Sequence, residues 1–449
     1  MSVVDVLARS AGVGESLAVV TTSGCWSYHE LDRRVDERAL RLRAARGDRP
    51  AGSPVVLTVA PTSAAVTELL AHWRVGAVVA PLNSRLSKHE RKAAEEALVG
   101  AHPPPGTQAL LWTSGTSGRP RGVALSWANL EHSVRAAAAR LELAADDVWL
   151  AALSPAHVGG LVLVVRSVLL GSALLIPDAL DTAAISDCLD GVGLPPGAPA
   201  PTHVSLVPTQ LAKLLDHRGS RPAPSSLRCV LVGGAHAPAS LVARAHDAGW
   251  PVALTYGSTE MTSQIATAPP ALTLAKPGTV GPPLDGVEVR VEDDGSLLVR
   301  GPTGALGYVG EDEDMEPLAS PDGWYRTGDL GRIDDEGHLW ITGRRIDRIV
   351  SGGVTLDAVE VEEALRAHPT VIDACVVGLA DDTWGQRVAA WVEPVEGEFE
   401  QGEIERFVAE RLSSAKRPRA WHVAHGLPRN VNGKVDRQRV LEIIQGRRG

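Results

Sequence analysis

Apolar residues alternate between short unbroken runs and helically spaced positions along the first eighty residues of the chain. Three runs have the length and composition of buried strands, at 17–21, 55–59 and 77–80. Between the last two, residues 64–74 predict a helix that ends before Gly76. Because a helix that connects two strands of one sheet favours parallel pairing, the pattern predicts an α/β fold.

A capping pattern predicts where the first helix begins. Ser27 stands three residues before Glu30, so each side chain can bond a backbone N–H of the other residue. Apolar residues then recur at helical spacing, at Leu31, Val35, Ala39 and Leu42. We therefore expect a strand, a turn and a helix within residues 17–43.

The same alternation continues through the rest of the chain. Further strands are predicted at 109–112, 149–153, 227–232, 374–379 and 389–395. Further helices are predicted at 125–140, 161–170, 358–368 and 401–412. Because 449 residues exceed what one hydrophobic core usually holds, we expect two or three domains.

Composition narrows the class of protein. The net charge of −10 argues against a general nucleic-acid binder. Four dispersed cysteines match no metal-ligand spacing and favour reduced thiols. We predict a cytoplasmic protein, because the sequence indicates neither a signal peptide nor a membrane span.

Residues 113–123, TSGTSGRPRGV, combine three glycines with hydroxyl and arginine side chains. Glycines let backbone N–H groups approach a ligand, and arginines complement phosphate charge. The run is neither a G-x-x-x-x-G-K-[ST] loop nor a G-x-G-x-x-G turn. Taken alone it predicts a phosphate-holding loop, with an ordinary serine- and glycine-rich surface loop as the alternative.

Five motifs in order resemble those of the adenylate-forming superfamily, which contains acyl-CoA synthetases, luciferases and the adenylation domains of peptide synthetases. They are TSGTSGRPRG at 113–122, YGSTE at 256–260, WYRTGDL at 324–330, GRRIDRIVSGG at 343–353 and LPRNVNGK at 427–434. The resemblance covers nearly the whole chain. It implies a large N-terminal α/β domain at 1–343 and a small mobile C-terminal α/β lid at 344–449, with a hinge about 344–347.

The chain departs from the superfamily pattern at several positions. Ser117 replaces a threonine and Arg121 replaces a lysine, and both keep the chemical character of the usual residue. Ile346 replaces the usual Asp, Lys or Ser of the hinge. The segment 85–106 is shorter than in relatives, so we expect a trimmed N-terminal domain with an intact site.

The resemblance implies which residues hold ATP and Mg²⁺. Phosphate contacts are expected from Thr113, Ser114, Gly115, Thr116, Ser117, Gly118 and Arg121. Contacts with the nucleoside are expected from Gly233, Gly234, Ala235, Tyr256, Gly257, Asp329 and Arg344. Tyr256 should pack on adenine, Thr259 should contact the α-phosphate and Asp329 should bind the ribose hydroxyls. Glu260 should hold Mg²⁺, which prefers carboxylate oxygen.

The resemblance also assigns roles within the lid. Lys434 matches the catalytic lysine, and Gly353 should let the backbone approach the pantetheine arm of CoA. Trp384 should stack on the CoA adenine, and Arg417 and Arg419 should bind its phosphates. A solvated basic loop is the alternative for these arginines.

Four residues are candidates for binding the acid. His157 follows a strand and matches the substrate-pocket histidine of the superfamily, although a lone histidine is usually a core residue. Arg166 interrupts an apolar helix, so it is either a structural ion pair or a clamp for a substrate carboxylate. Ser263 and Gln264 extend the YGSTE motif in a way that resembles o-succinylbenzoate–CoA ligases.

These residues predict an enzyme that joins a carboxylic acid to CoA in two steps, adenylation and thioester formation. The preferred acid is o-succinylbenzoate, which would place the enzyme in menaquinone biosynthesis. Another aryl or medium-chain acid, a carrier-protein thiol as acceptor, and a non-catalytic nucleotide-binding relative are the alternatives. The expected partners are small molecules and no nucleic acid, and a homodimer is left open.

Overall fold

The structure is a computed structural model of the 449-residue chain. It describes Leu7 and the ranges 16–45, 54–86, 88–98, 101–113, 121–309, 317–351, 354–381, 384–430 and 433–446. The candidate residues Ser114, Gly115, Thr116, Ser117, Gly118 and Gly353 lie outside the described residues, as do the side chains of Thr113 and Ile346.

Strands and helices alternate through the described ranges. The strands are β1 (Leu17–Thr21), β2 (Gly24–Ser27), β3 (Pro54–Val59), β4 (Val78–Asn83), β5 (Thr107–Thr113), β6 (Arg121–Ser126), β7 (Val148–Leu150), β8 (Ala173–Leu175), β9 (His203–Leu206), β10 (Cys229–Val232), β11 (Val252–Ser258), β12 (Ser263–Ala268), β13 (Glu288–Val291), β14 (Ser296–Arg300), β15 (Gly307–Val309), β16 (Tyr325–Ile333), β17 (Leu339–Arg344), β18 (Arg348–Ser351), β19 (Val354–Asp357), β20 (Val371–Asp381), β21 (Gly385–Pro394) and β22 (Ala420–Val423). The helices are α1 (Tyr28–Ala45), α2 (Ser63–Arg74), α3 (Lys88–Leu98), α4 (Trp127–Leu141), α5 (Val158–Leu170), α6 (Thr182–Leu189), α7 (Pro208–Arg218), α8 (Ala239–Asp247), α9 (Pro270–Ala275), α10 (Ala358–Arg366), α11 (Gln401–Ala409) and α12 (Arg437–Gly446). The mixed α/β fold is thereby confirmed.

The largest sheet has the strand order β12-β11-β10-β9-β7-β8-β1-β2. Its six central strands pair in parallel, and the two edge strands pair antiparallel with their neighbours. Buried aliphatic residues cover both of its faces, because strands between two layers of helices contact apolar side chains on each side. The carboxyl ends of these parallel strands lie at one edge, where α/β proteins usually bind ligands.

A second sheet has the order β15-β6-β5-β4-β3 and includes the predicted parallel pair β3 and β4. Here one predicted boundary is wrong. The pattern predicts a helix from Leu125, but Leu125 and Ser126 belong to β6, which pairs antiparallel with β5. Helix α4 begins only at Trp127, because Ser126 and Asn129 form a reciprocal capping box at its start.

Two further sheets follow in the chain. The strands β13-β14-β16-β17 form an antiparallel sheet, and β19-β18-β21-β20 form another to which β22 adds in parallel with β21. The last sheet has its own apolar core with α10, α11 and α12 around it. No helix in the described part of the chain is both long and apolar enough to cross a membrane.

Gly160, at the start of α5, lies against the backbone that precedes its own helix. A Cβ at Gly160 would lie 2.1 Å from the carbonyl oxygen of Ser154, whereas a Cβ at Gly159 would meet only the Leu153 side chain at 3.2 Å. The short distance to the Ser154 backbone therefore requires glycine at position 160, whereas position 159 has no such requirement.

We expect Gly160→Ala to lower the free energy of unfolding by about 1–3 kcal/mol, as overpacking does. Gly159→Ala is the matched control, because it places the same methyl group in the same helix and should be neutral or slightly stabilising. Urea unfolding followed by circular dichroism measures both. Equal free energies of unfolding for the two variants would contradict the geometry at Ser154.

Candidate active site

The carboxylate of Asp329 is buried at the junction of three strands, and each of its oxygens accepts one hydrogen bond. Asp329 on β16 lies directly opposite Arg344 on β17, and its Oδ1 accepts a hydrogen bond from Arg344 Nε at 2.9 Å. Its Oδ2 accepts one from the hydroxyl of Tyr256 on β11 at 2.7 Å. Each carboxylate oxygen has a second lone pair, so this pair of contacts leaves capacity to accept ribose hydroxyls.

Tyr256 is held as a neutral hydrogen-bond donor. Burial raises its pKa well above the usual value, and the charge of Asp329 raises it further. Only 9% of the residue is exposed, so most of the ring packs in the core with Met261 and Ile265. The expected stacking on adenine would therefore use only a small part of the ring.

Glu260 follows β11 and faces two tyrosines. The hydroxyl of Tyr308 donates to Glu260 Oε1 at 3.1 Å, and the Tyr325 hydroxyl lies 3.5 Å from that of Tyr308. Burial and the nearby carboxylate raise the pKa of Tyr308 to about 12. The two tyrosines beside Glu260 are neutral, so they add no negative charge next to its carboxylate.

Lys434 belongs to the C-terminal unit, formed by the sheet β18–β22 and helices α10–α12, but lies against the N-terminal unit, formed by the three preceding sheets and their helices. A Cβ at Gly234 would lie 4.0 Å from Lys434 Cε, and one at Gly433 would lie 3.3 Å from Thr209 Oγ1. Burial lowers the pKa of Lys434 and the charge of Arg344 lowers it further, while Asp329 and Glu260 raise it. The ammonium group therefore lies close enough to both candidate carboxylates for their charges to act on it.

His157 is the residue that precedes α5, and it lies at the carboxyl edge of the large sheet. Its Nε2 is 3.2 Å from Asn83 Nδ2. Burial lowers its pKa to about 4, and the charge of Lys434 contributes. His157 is consequently neutral at physiological pH and can accept a hydrogen bond without adding a second positive charge beside Lys434.

Close backbone approach fixes the segment that carries Ser263. A Cβ at Gly257 would lie only 1.6 Å from the Ser263 carbonyl oxygen, so no other residue fits at this position. Thr262 and Ser263 have φ angles of 50° and 94°, a region that side chains rarely adopt. The turn between β11 and β12 is strained and rigid, as binding-site turns often are.

Arg166 is buried in α5, with 2% of its surface exposed. Its Nη2 donates to Gln264 Oε1 at 3.1 Å, and its guanidinium lies 4.3 Å from the ring centroid of Trp149. Its Nε and Nη1 make no hydrogen bond with any described residue. Burial lowers its pKa to about 10, so the group stays charged without a carboxylate partner among the described residues.

The candidate CoA residues of the lid have structural partners. The guanidinium of Arg419 lies 4.1 Å from the ring centroid of Trp384. Arg417 donates to the carbonyl oxygens of Ala409 and Leu412, both at 2.9 Å, and so caps the end of α11. Of this set, Trp384 and Arg419 form a contact pair on the lid surface, while Arg417 serves its own helix.

Within the described ranges, no group of three or more His, Cys, Asp or Glu side chains can hold a metal ion. Glu260 alone still fits Mg²⁺, because this ion usually takes one or two carboxylates together with substrate phosphates and waters. A nucleotide bound beside Glu260 would supply those phosphate oxygens.

The sequence patterns missed three residues of this site: Asn83, Trp149 and Tyr308. Tyr308 lies on β15, which reaches the site only by pairing with β6. The ring of Trp149 contacts the guanidinium of Arg166 because β7 and α5 pack together. These contacts join residues far apart in the chain, so no local pattern could have indicated them.

The comparisons with known proteins agree with this geometry. Residues 100–309 match the AMP-binding enzyme family, and residues 360–434 match the AMP-binding enzyme C-terminal domain. The chain is 38% identical over 345 residues to a 2-succinylbenzoate–CoA ligase from Bacillus cytotoxicus, covering 75% of this chain and 70% of that protein.

Two solved structures extend the likeness over the whole fold. An o-succinylbenzoate CoA synthetase from Bacillus subtilis with the acyl-adenylate intermediate aligns with a TM-score of 0.85, 29% identity and 97% coverage of both chains. The same synthetase with ATP and magnesium ion aligns with a TM-score of 0.85 and 29% identity, over 97% of this chain and 99% of that one.

We expect Lys434→Ala to raise the pKa of His157 from about 4, while leaving it below the ordinary 6.5 because burial persists. Titration of the histidine ring protons by NMR measures this. His203 is an internal control, since burial and then Arg166 lower its pKa to about 4 without Lys434. An unchanged His157 pKa, or an equal rise for His203, would show that Lys434 does not lie beside His157.

Proposed function

The chain belongs to the AMP-binding enzyme family, and on that premise we propose that it is an ATP-dependent ligase that joins o-succinylbenzoate to CoA. The observation that carries the proposal is the position of Lys434. Its ammonium comes from the C-terminal unit and lies close enough to Asp329 and Glu260 for their charges to act on it. Such an arrangement can hold a nucleotide by its ribose and place a cation at its α-phosphate.

In the first step, a carboxylate oxygen of the acid attacks the α-phosphorus of ATP, and pyrophosphate leaves. Lys434 stabilises the negative charge that develops on the phosphate oxygens, because a buried cation in a low-dielectric pocket acts strongly there. Asp329 orients the ribose. Glu260 would hold Mg²⁺, which supplies charge neutralisation at the phosphates when bound.

In the second step, the CoA sulfur attacks the carbonyl carbon of the acyl-adenylate and AMP leaves. Lys434 has no role in this step, so we propose that the lid rotates about residues 344–347 and withdraws it. Gly353 would then approach the pantetheine arm. Trp384 and Arg419 would contact CoA, and Arg417 would do so only by giving up its helix cap.

The remaining site assignments belong to the same proposal. The loop containing Ser114, Gly115, Thr116, Ser117 and Gly118, with Thr113 and Arg121 at its ends, would hold the ATP phosphates. Thr259 would contact the α-phosphate. The segment formed by Gly233, Gly234 and Ala235, with Gly257, would lie along adenine, supported by the close approach of Gly234 to Lys434.

Arg166 would select the acid. o-Succinylbenzoate carries two carboxylates, so one can react while the second pairs with a cation. The Nε and Nη1 atoms of Arg166 have no described hydrogen-bond partner, so their N–H groups can donate to a substrate carboxylate. Gln264 holds the guanidinium in place, and His157 and Ser263 would line the path between the two ends of the acid.

The cellular setting follows from the chemistry. We propose a place in menaquinone biosynthesis, which uses this thioester, and a cytoplasmic location, where ATP and CoA are available and the four unpaired cysteines stay reduced. A homodimer stays an untested prediction.

Substrate preference is tested by CoA-thioester formation with o-succinylbenzoate, benzoate and octanoate, using wild type and Arg166→Ala. We expect wild type to prefer o-succinylbenzoate, and the variant to lose about a hundredfold in kcat/KM for this acid alone, the usual cost of removing a buried charged partner. The KM for ATP and the melting temperature are the controls. Activity with another acid, unaffected by the variant, would remove the o-succinylbenzoate assignment and leave the ligase chemistry.

Lys434→Ala should reduce adenylation by at least about a hundredfold, because it removes a preorganised charge at the phosphate. Thioester formation from supplied acyl-adenylate and CoA should continue at nearly the wild-type rate. Pyrophosphate release measures the first step, and thioester yield from acyl-adenylate measures the second. Equal loss of both would contradict the division between the two steps.

A further inference from the structure

His236 and Glu363 join the N-terminal unit to the lid by a direct contact. His236 lies in the loop after β10, and Glu363 lies on α10 of the lid. Their side chains meet with 2.8 Å between His236 Nε2 and Glu363 Oε1. Neither residue belongs to a motif that the proposed function uses.

Glu363 makes a second contact with the N-terminal unit. Its carboxylate also lies near the backbone N–H of Ala239, the first residue of α8. Burial raises the pKa of Glu363, but His236, Arg366 and this backbone N–H together bring it below the ordinary value. A carboxylate at a helix N-terminus is favourable because unpaired N–H groups and the helix dipole point toward it.

The contact lies close to the catalytic lysine. His236 is two residues after Gly234, whose added Cβ would lie 4.0 Å from Lys434 Cε. The loop 233–236 therefore contacts the lid at Glu363 and lies close to Lys434. Moving α10 away from this loop would break the His236 contact and withdraw Lys434 together.

We propose that His236 and Glu363 form a latch that holds the lid in the position for adenylation, with both acting as positioning residues for Lys434. The latch rests on the proposed two-step function. It stabilises only the first of the two lid positions, because Glu363 can reach His236 and Ala239 only while α10 lies on the loop 233–236. Its loss should therefore slow adenylation and leave thioester formation intact.

The size of the effect follows from the exposure of the pair. The side chains of His236 and Glu363 are 40% and 32% exposed, so solvent screens their attraction. Exposed ion pairs and helix N-terminal carboxylates each change an equilibrium by about fivefold at most. We expect His236→Ala to slow acyl-adenylate formation by about three- to fivefold, and Glu363→Gln, which weakens both contacts, by about three- to tenfold.

The experiment measures both steps for each variant of the full-length protein. Rapid-quench assays with o-succinylbenzoate and ATP follow acyl-adenylate formation, and assays with supplied acyl-adenylate and CoA follow thioester formation. The expected result is a slower first step, an unchanged or faster second step, and a double variant no slower than Glu363→Gln alone. His236→Lys should restore the first step, because a lysine ammonium can also donate to the Glu363 carboxylate.

Arg244→Ala is the matched control. Arg244 on α8 pairs with Asp216 on α7 at the same N–O distance of 2.8 Å, is 50% exposed, and has both partners in the N-terminal unit. It should leave both steps unchanged. If wild type forms no acyl-adenylate, the proposed function itself fails. If wild type forms it, but the latch variants adenylate at the wild-type rate or slow both steps equally, the latch is overturned.

Discussion

Compensation of the buried charge of Asp329 is the constraint on which the arrangement of the site depends. An ionised carboxylate that is 6% exposed needs partners, since burial without them costs several kcal/mol. Its partners come from different parts of the fold: Arg344 from the neighbouring strand and Tyr256 from the large sheet. Lys434 adds positive charge from the lid. One carboxylate thereby ties the antiparallel sheet, the parallel sheet and the lid to a common point.

Just after Asp329's partner Arg344, the ion-pair partners of charged side chains change, within a few residues, from earlier parts of the chain to the lid. Arg344 and Arg345 pair with Asp329 and Asp294, which precede them in the chain. Asp347 instead pairs with Arg437, on the last helix of the lid, at 3.0 Å. Ile346 lies between these two sets of contacts. A rotation about this position would leave both sets of ion pairs intact, but it would break the hydrogen bond from Arg348 Nη2 to the Asp294 carbonyl oxygen at 2.9 Å.

Local sequence patterns predicted the helices and strands of this chain better than they predicted how those helices and strands contact one another. The cap at Ser27 is present, with its hydroxyl accepting from the Glu30 N–H at 3.2 Å, because capping depends only on neighbours in the chain. The helix expected at 125–140 is present, but its predicted start at Leu125 was wrong, since an apolar run fits a buried strand and a buried helix equally well. Motif order indicated Asp329, Glu260 and Lys434 as site residues. The contact of Trp149 with Arg166 depends on how β7 packs against the helix that follows it, and this packing has no local signature.

Arg166 and Lys434 share one property that links the fold to the choice of substrate. Each is a buried cation whose pKa is lowered by burial, so each is incompletely compensated in the free protein. Arg166 lies nine residues after His157, about 13 Å along a helix. Under the proposed assignment of Arg166, an acid with two carboxylates places one beside this guanidinium while the other reacts near Lys434. A monocarboxylic acid would leave Arg166 unpaired, so the same burial that strengthens the proposed contact also penalises the wrong substrate.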